Sequence, residues 1–249
     1  MTNIAIETKN IHKSFGDKKI LTGIDLKIKE GESHVLIGGS GSGKSVLIKV
    51  ITGLLTASRG EICFFGTPIK YKKNKTNYDK LGMLFQSSAL FDSLPVWHNI
   101  AFGLIQAKTI QKKDALELAI EKLKMVGLDP DVAFKSPSEL SGGMQKRVGL
   151  ARAIASNPKI LFFDEPTTGL DPIMANVIND LIVKCSKEVG ATTFSITHDI
   201  NSMRIIADKV SMLYQGKIIW QGDKSKLDTS SNKYLKQFIA GDLKGPITF

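Results

Sequence analysis

Gly38-Gly39-Ser40-Gly41-Ser42-Gly43-Lys44-Ser45 restricts what this chain can fold into more than any other stretch. It satisfies the pattern G-x-x-x-x-G-K-S in full. The apolar run Ser33–Ile37 stands directly before it, and a helical pattern through Leu55 follows. A strand before and a helix after are the context in which such a loop carries chemistry. Its glycines let backbone N–H groups turn inward around phosphate oxygens. The positive end of the following helix adds to that attraction. Lys44 is then set to reach the β- and γ-phosphates of a nucleotide, and the Ser45 hydroxyl to ligate Mg²⁺.

The rest of the chain alternates in a way that suits such a start. Ile4–Thr8 and Ile24–Glu30 alternate like half-buried strands, and Glu61–Phe65 and Leu81–Phe85 read as further strands. From Phe91 to Asn157 the pattern is helical. Lys112–Val126 sets Ala115, Leu116, Ala119, Ile120 and Leu123 on one face. Met144–Ser156 is helical and stops at Asn157-Pro158. Ile160–Phe163 is apolar throughout, as a parallel strand covered on both sides should be. Asp171 and Pro172 open another helix as N-cap and first-turn residue. Thr192–Thr197 and Val210–Tyr214 are strands, and Lys217–Trp220 pairs with the latter across Gln215-Gly216. Strand and helix in alternation imply a mostly parallel sheet. The helical block between Gln86 and Asn157 reads as an insertion into it.

Composition narrows the class. No stretch approaches the roughly 18–20 apolar residues that cross a bilayer. Lys49 interrupts Val46–Leu55, and Arg152 interrupts Leu150–Ala155. Met1–Asn10 carries Glu7 and lacks the apolar core of a signal peptide. A cytosolic chain without its own anchor is expected. Cys63 and Cys185 have no metal-ligand spacing and are expected to be reduced, buried thiols. The formal charge is +10, from 30 Lys, 4 Arg and 24 acidic residues. Nucleic-acid readers favour Arg for its planar fork, so this lysine excess does not read as a nucleic-acid footprint. One cluster, Lys70, Lys72, Lys73, Lys75 and Lys80, is either a solvated loop or an attraction to an anionic membrane face.

Ile160-Leu161-Phe162-Phe163-Asp164-Glu165 supplies the second half of a hydrolytic site. Carboxylates at the C-terminal end of a parallel strand face the ligand crevice. Asp164 is placed to hold Mg²⁺ through its water shell. Glu165 can polarise the attacking water, and a general base of this kind contributes about 10²–10⁴-fold in rate.

Leu140-Ser141-Gly142-Gly143-Met144-Gln145-Lys146-Arg147 resembles the signature of ABC-type ATPases. Other marks of that family follow in order. Gln86 after Leu81–Phe85 resembles the glutamine loop, Gly169-Leu170-Asp171 the aspartate loop, and His198 after Thr192–Thr197 the switch histidine. The resemblance runs from about Ile4 to Gly222. It implies an α/β fold, a P-loop NTPase (RecA-like) with a mostly parallel sheet core, an antiparallel β-subdomain and an inserted helical subdomain. Residues 1–86 and 158–226 would form the ATP-binding core, 87–157 the helical subdomain and 227–249 a tail. It also implies that Ser141, Gly142 and Gly143 meet the γ-phosphate held by another subunit. One chain then makes two half-sites, and a head-to-tail homodimer completes them. Gln86 would sense Mg²⁺ and water, and His198 would contact the γ-phosphate. Phe15 sits where the family places an adenine-stacking aromatic; the plain alternative is a core phenylalanine. His12, His34 and His98 read as structural. Met144 departs from the usual Gln of the signature without touching Ser141 or the glycines. Leu90–Trp97 opens the helical block, where the family has a groove for a short helix of the membrane subunit.

Gly82–Phe91, Gly169–Ile173 and Gln237–Pro246 resemble the ATPase of bacterial MCE-linked (Mla-type) phospholipid transport systems. That implies an integral membrane permease and an MCE-type lipid-binding partner, with this chain peripheral at the cytoplasmic face of the inner membrane. A polar-solute importer would use the same site chemistry. A soluble ATPase acting on nucleic acid or ribosomes is disfavoured: Ser141 follows Lys44 by 97 positions, with no heptad run between. In the tail, Tyr234, Leu235, Phe238 and Ile239 form an apolar stripe at helical spacing. The stripe packs either on its own domain or across to the other ATPase subunit.

Overall fold

The computed structural model describes residues 3–69 and 80–248. The chain runs β1 (Ile4–Phe15), β2 (Lys18–Lys29), β3 (Ser33–Ile37), α1 (Lys44–Ile51), β4 (Arg59–Phe64), β5 (Thr67–Pro68), β6 (Leu81–Leu84), α2 (Val96–Gln106), α3 (Lys112–Met125), α4 (Gly142–Ile154), β7 (Ile160–Asp164), α5 (Pro172–Glu188), β8 (Thr192–Ile196), α6 (Ile200–Ile206), β9 (Lys209–Tyr214), β10 (Lys217–Asp223) and α7 (Lys233–Ala240). It divides into two compact units, Met1–Asn74 with Phe194–Phe249, and Lys75–Thr193. Of the lysine cluster, only Lys80 falls within the described residues.

In the first unit, β1 and β2 pair antiparallel, and an ordered sheet β2-β1-β4-β5 results. Both long strands exceed the segments expected from alternation. Their polar halves, such as Lys9–Phe15, are held by ladder bonds rather than by burial, and a bulge at Asn10 (φ 50°) resets the register. β3 lies parallel to β9, with Val35 opposite Val210 and Ile37 opposite Met212. Val35, Leu36 and Ile37 are fully buried, which is why the run is apolar without alternation. β9 and β10 form the expected hairpin. Within β3, the His34 ring bonds Glu32 (3.1 Å) and Ser211 Oγ (2.8 Å), so this histidine is structural. His12 likewise bonds Asn10 Oδ1 at 2.8 Å. Neither β5 nor α6 was expected; each is too short for periodicity to show.

The tail folds on the first unit. Asn232 caps α7 by accepting from Leu235 N (3.0 Å), Leu235 is fully buried, and the Tyr234 ring lies 5.0 Å from that of Tyr214. The buried amide of Gln237 accepts from Ile247 N (2.7 Å) and donates to Ile247 O (3.3 Å), pinning the chain end. Leu243 is left 93% exposed.

In the second unit, β6 lies parallel to β7, pairing Leu81 with Ile160 through Leu84 with Phe163. Phe162 and Phe163 are fully buried, each side chain worth about 1.5–3 kcal/mol. Gly82 and Gly149 allow close approach, since a Cβ on either would run into Ala153 O or the Leu84 side chain. The expected helical stretch resolves into α2, α3, two 3-10 turns (Pro130–Phe134 and Pro137–Glu139) and α4. Asn99, fully buried, ties the turn before α2: it accepts from Phe91 N (2.7 Å) and donates to Leu94 O (2.9 Å). His98 stacks on Trp97, a structural role. Both cysteines are free and buried, and burial pushes the Cys185 thiol up to about 11. Among the described residues, no helix is long and apolar enough to cross a membrane.

Candidate active site

The glycine loop belongs to the first unit. Gly41 (φ 74°) and Gly43 (φ 105°) take backbone conformations that L side chains resist. A Cβ on Gly38 would collide with the carbonyl oxygen of Leu213. Gly43 is the N-cap of α1 and supplies no side-chain cap, which leaves the first-turn N–H groups directed at the loop. The buried Lys44 ammonium donates to Gly38 O (2.8 Å) and Gly39 O (3.1 Å), lying along the loop's inner wall. Ser42 Oγ is buried without a hydrogen-bond partner among the described residues. A ring of inward donors, an uncapped helix start and a lysine on carbonyls fit a polyphosphate. Ser45 follows in the first turn with a hard oxygen suited to Mg²⁺.

Phe15, at the end of β1, is 49% exposed, and the Lys13 ammonium lies 4.9 Å from its ring centre. The ring is available for stacking, and the core-phenylalanine alternative is set aside. His198 is exposed between β8 and α6. Thr197 N bonds Leu36 O (3.2 Å) on one side of it, and Asp199 caps α6 through Asn201 N (3.0 Å) on the other.

In the second unit, Asp164 and Glu165 end β7, 6% and 8% exposed. Glu165 adopts φ 49°, a left-handed conformation that costs a non-glycine residue about 1–2 kcal/mol. The turn beyond it holds that geometry: Thr168 N donates to Glu165 O (3.2 Å), and Thr168 Oγ1 to Glu165 Oε2 (3.2 Å). Ser141 is the exposed N-cap of α4, accepting from Met144 N at 3.3 Å, with Gly142 and Gly143 opening the first turn. A Cβ on Gly143 would press on Met174 at 2.9 Å, so α4 and α5 meet there. Asp171 caps α5 through Ile173 N and Met174 N, both 3.0 Å, as its sequence position implied. Gln86 is exposed, just past β6.

Two residues of α4 near these groups escaped sequence reasoning. The Lys146 ammonium donates to Gln86 O. Arg152 donates to Ser88 O (2.5 Å) and Ala89 O (2.7 Å). Their signal was present: both are charged residues in a stretch of α4 where Val148, Gly149, Leu150, Ala151 and Ala153 are buried.

A glycine-loop phosphate cradle opening a helix on a parallel strand, with paired acids ending another, defines a P-loop ATPase. The family described as ABC transporter matches residues 21–168, and the chain belongs to it as an ABC-type ATPase. The chain is 39% identical over 266 residues to Protein TRIGALACTOSYLDIACYLGLYCEROL 3, chloroplastic, of Arabidopsis thaliana, covering 100% of this chain and 77% of that one. It is 37% identical to the intermembrane phospholipid transport system ATP-binding protein MlaF of Haemophilus influenzae, over 100% of this chain and 95% of that one. It is also 37% identical to the general L-amino acid transport ATP-binding protein AapP of Rhizobium johnstonii, covering 96% and 93%. Among solved structures, a dimeric post-hydrolysis state of the ATP-binding cassette MJ0796 bound to ADP and Pi superimposes with a TM-score of 0.78. It is 32% identical, and the match covers 88% of this chain and 98% of that one.

Proposed function

We propose that this chain is the ATP-hydrolysing motor of a transporter that moves phospholipid between the inner and outer membranes of a bacterium. The observation that carries the reading is the 37% identity to MlaF across the full length of this chain, tail included. Similarity to an amino-acid transport protein at the same identity favours a polar-solute importer as the second reading.

Each site residue takes a role in ATP hydrolysis. Residues Gly38, Gly39, Ser40, Gly41, Ser42, Gly43 and Lys44 bind the phosphates, and Phe15 stacks on adenine. Mg²⁺, when bound, neutralises charge on the transferring phosphoryl group, and Ser45, Asp164 and Gln86 would hold it directly or through water. Glu165 orients and polarises the attacking water. His198 bonds the γ-phosphate. Ser141, Gly142 and Gly143, at a helix N-terminus, bind the γ-phosphate held by a second copy, and Asp171 lies at that junction. ATP thus joins a head-to-tail homodimer, and hydrolysis releases it.

The motor sits at the cytoplasmic face of the inner membrane against a permease subunit, with an MCE-type lipid-binding protein in the same complex. Support for the permease contact comes from an apolar groove of about 570 Å³ in the second unit, lined by Phe85, Phe91, Ile100, Phe102 and Leu104 among others. A short amphipathic helix would bury its apolar face there. No role on nucleic acid is proposed. The test is co-purification from membranes with identification of companion proteins and bound lipid. A permease, an MCE-type protein and phospholipid are expected. Recovery with a solute-binding protein and no lipid would replace this reading with the importer.

A further inference from the structure

Two cations of α4, the buried Lys146 and the half-buried Arg152, bind main-chain carbonyls. Lys146 is 5% exposed, and its ammonium donates to the carbonyl of Gln86. Arg152 takes the carbonyls of Ser88 and Ala89. Those two residues stand at φ 60° and 47°, conformations that persist only where neighbours enforce them. The glutamine loop is therefore held by its backbone, from one helix. β6 and β7 run parallel with Leu84 opposite Phe163, so the loop that Lys146 holds leaves the sheet beside Asp164 and Glu165. Burial lowers the pKa of Lys146, and the charges of Asp164 and Glu165 act in the opposite direction, favouring the ammonium. A buried lysine needs such partners. One cation thus holds the loop that follows β6, next to the acids ending β7.

We propose that Lys146 is a positioning residue for hydrolysis: its ammonium keeps the Gln86 carbonyl and the Asp164–Glu165 pair in one register, so that a shift of the glutamine loop is transmitted to the acids. It acts through those groups and is not itself catalytic. The inference rests on the reading of Glu165 as the base.

A space-filling lysine and a positioning one predict different outcomes. Lys146→Met keeps the length and relieves the cost of burying a charge. A space filler therefore predicts an equal or higher melting temperature and unchanged turnover. The experiment compares Lys146→Met, Lys146→Arg and Glu165→Gln in the full chain, measuring melting temperature, KM for ATP and kcat. For Lys146→Met, an unchanged melting temperature, KM within about twofold and kcat lowered at least about tenfold are expected, since an ångström-scale misplacement costs up to about 10²-fold. Lys146→Arg, which restores a cation, should recover most of that loss. Full turnover in Lys146→Met while Glu165→Gln is inactive overturns the inference and leaves Glu165 as base. Full turnover in Glu165→Gln overturns the reading of the base and the inference with it. A loss of kcat that follows a lowered melting temperature, or that Arg does not recover, also overturns it. Should Lys146→Met not fold, Lys146→Gln carries the same comparison.

Discussion

Adjacent glycines in the phosphate loop should respond very unequally to the same added methyl group. At Gly38 (φ 155°) the new Cβ would collide with a backbone carbonyl, Leu213 O, inside β9. Backbone in a ladder cannot step aside as a flexible side chain can. The conformational strain costs about 1–3 kcal/mol, and the overpacking about 1–3 kcal/mol more. Together, about 2–6 kcal/mol would lower the melting temperature of a chain this size by about 4–24 °C, at about 2–4 °C per kcal/mol. At Gly39 a Cβ meets nothing within 4 Å. Gly39→Ala should stay within about 0.5 kcal/mol of the parent, or about 2 °C. Differential scanning fluorimetry without nucleotide reads both, so that loss of ligand binding does not enter. Equal melting temperatures for Gly38→Ala and the parent, or a larger drop for Gly39→Ala, would refute the steric account of why this loop needs glycine where it does.

Lys44→Ala should weaken ATP binding about 10–100-fold, the loss of charge-assisted hydrogen bonds worth about 1.5–3 kcal/mol; equal affinity by calorimetry would count against the loop assignment. Glu165→Gln should bind ATP, lose at least about 10²-fold in turnover and accumulate as a dimer in size-exclusion chromatography; a monomer under saturating ATP would contradict the composite site. Removing 232–249 should weaken that ATP-dependent dimer, and equal self-association with a lowered melting temperature would assign the tail to its own unit alone. Glu32 gives a pH test. Burial works to raise its pKa, but the His34 ring and the Lys209 ammonium outweigh that and hold it below its ordinary value of 4.5. A depressed folded pKa stabilises above the unfolded pKa and fades as pH falls through the folded one. Glu32→Gln should therefore melt lower than the parent at pH 7, with the gap closing below pH 4.5; a gap that widens in acid would reverse the sign.

Sequence alone determined the elements whose causes are local. The glycine loop is legible because the contact at Gly38 and the positive φ at Gly43 each demand glycine, and the motif fixes glycine at both. Val35–Ile37 and Ile160–Phe163 were readable as buried strand because two covered faces leave no polar positions in either run. The cap Asp171 was readable because a helix start needs an oxygen within three residues. Tertiary structure decided the rest. The polar halves of β1 and β2 are strands only because each supplies the other's hydrogen bonds, across a pairing that hydropathy does not encode. Whether Phe15 was core or surface depended on what covers the end of β1. The left-handed turn at Glu165 has no glycine to announce it and is held by Thr168. Lys146 and Arg152 lie 60 and 64 positions from the carbonyls of Gln86 and Ser88 that they hold. A contact at that separation exists only once α4 has docked on β6, because burial makes an ammonium seek carbonyls that a linear pattern cannot name.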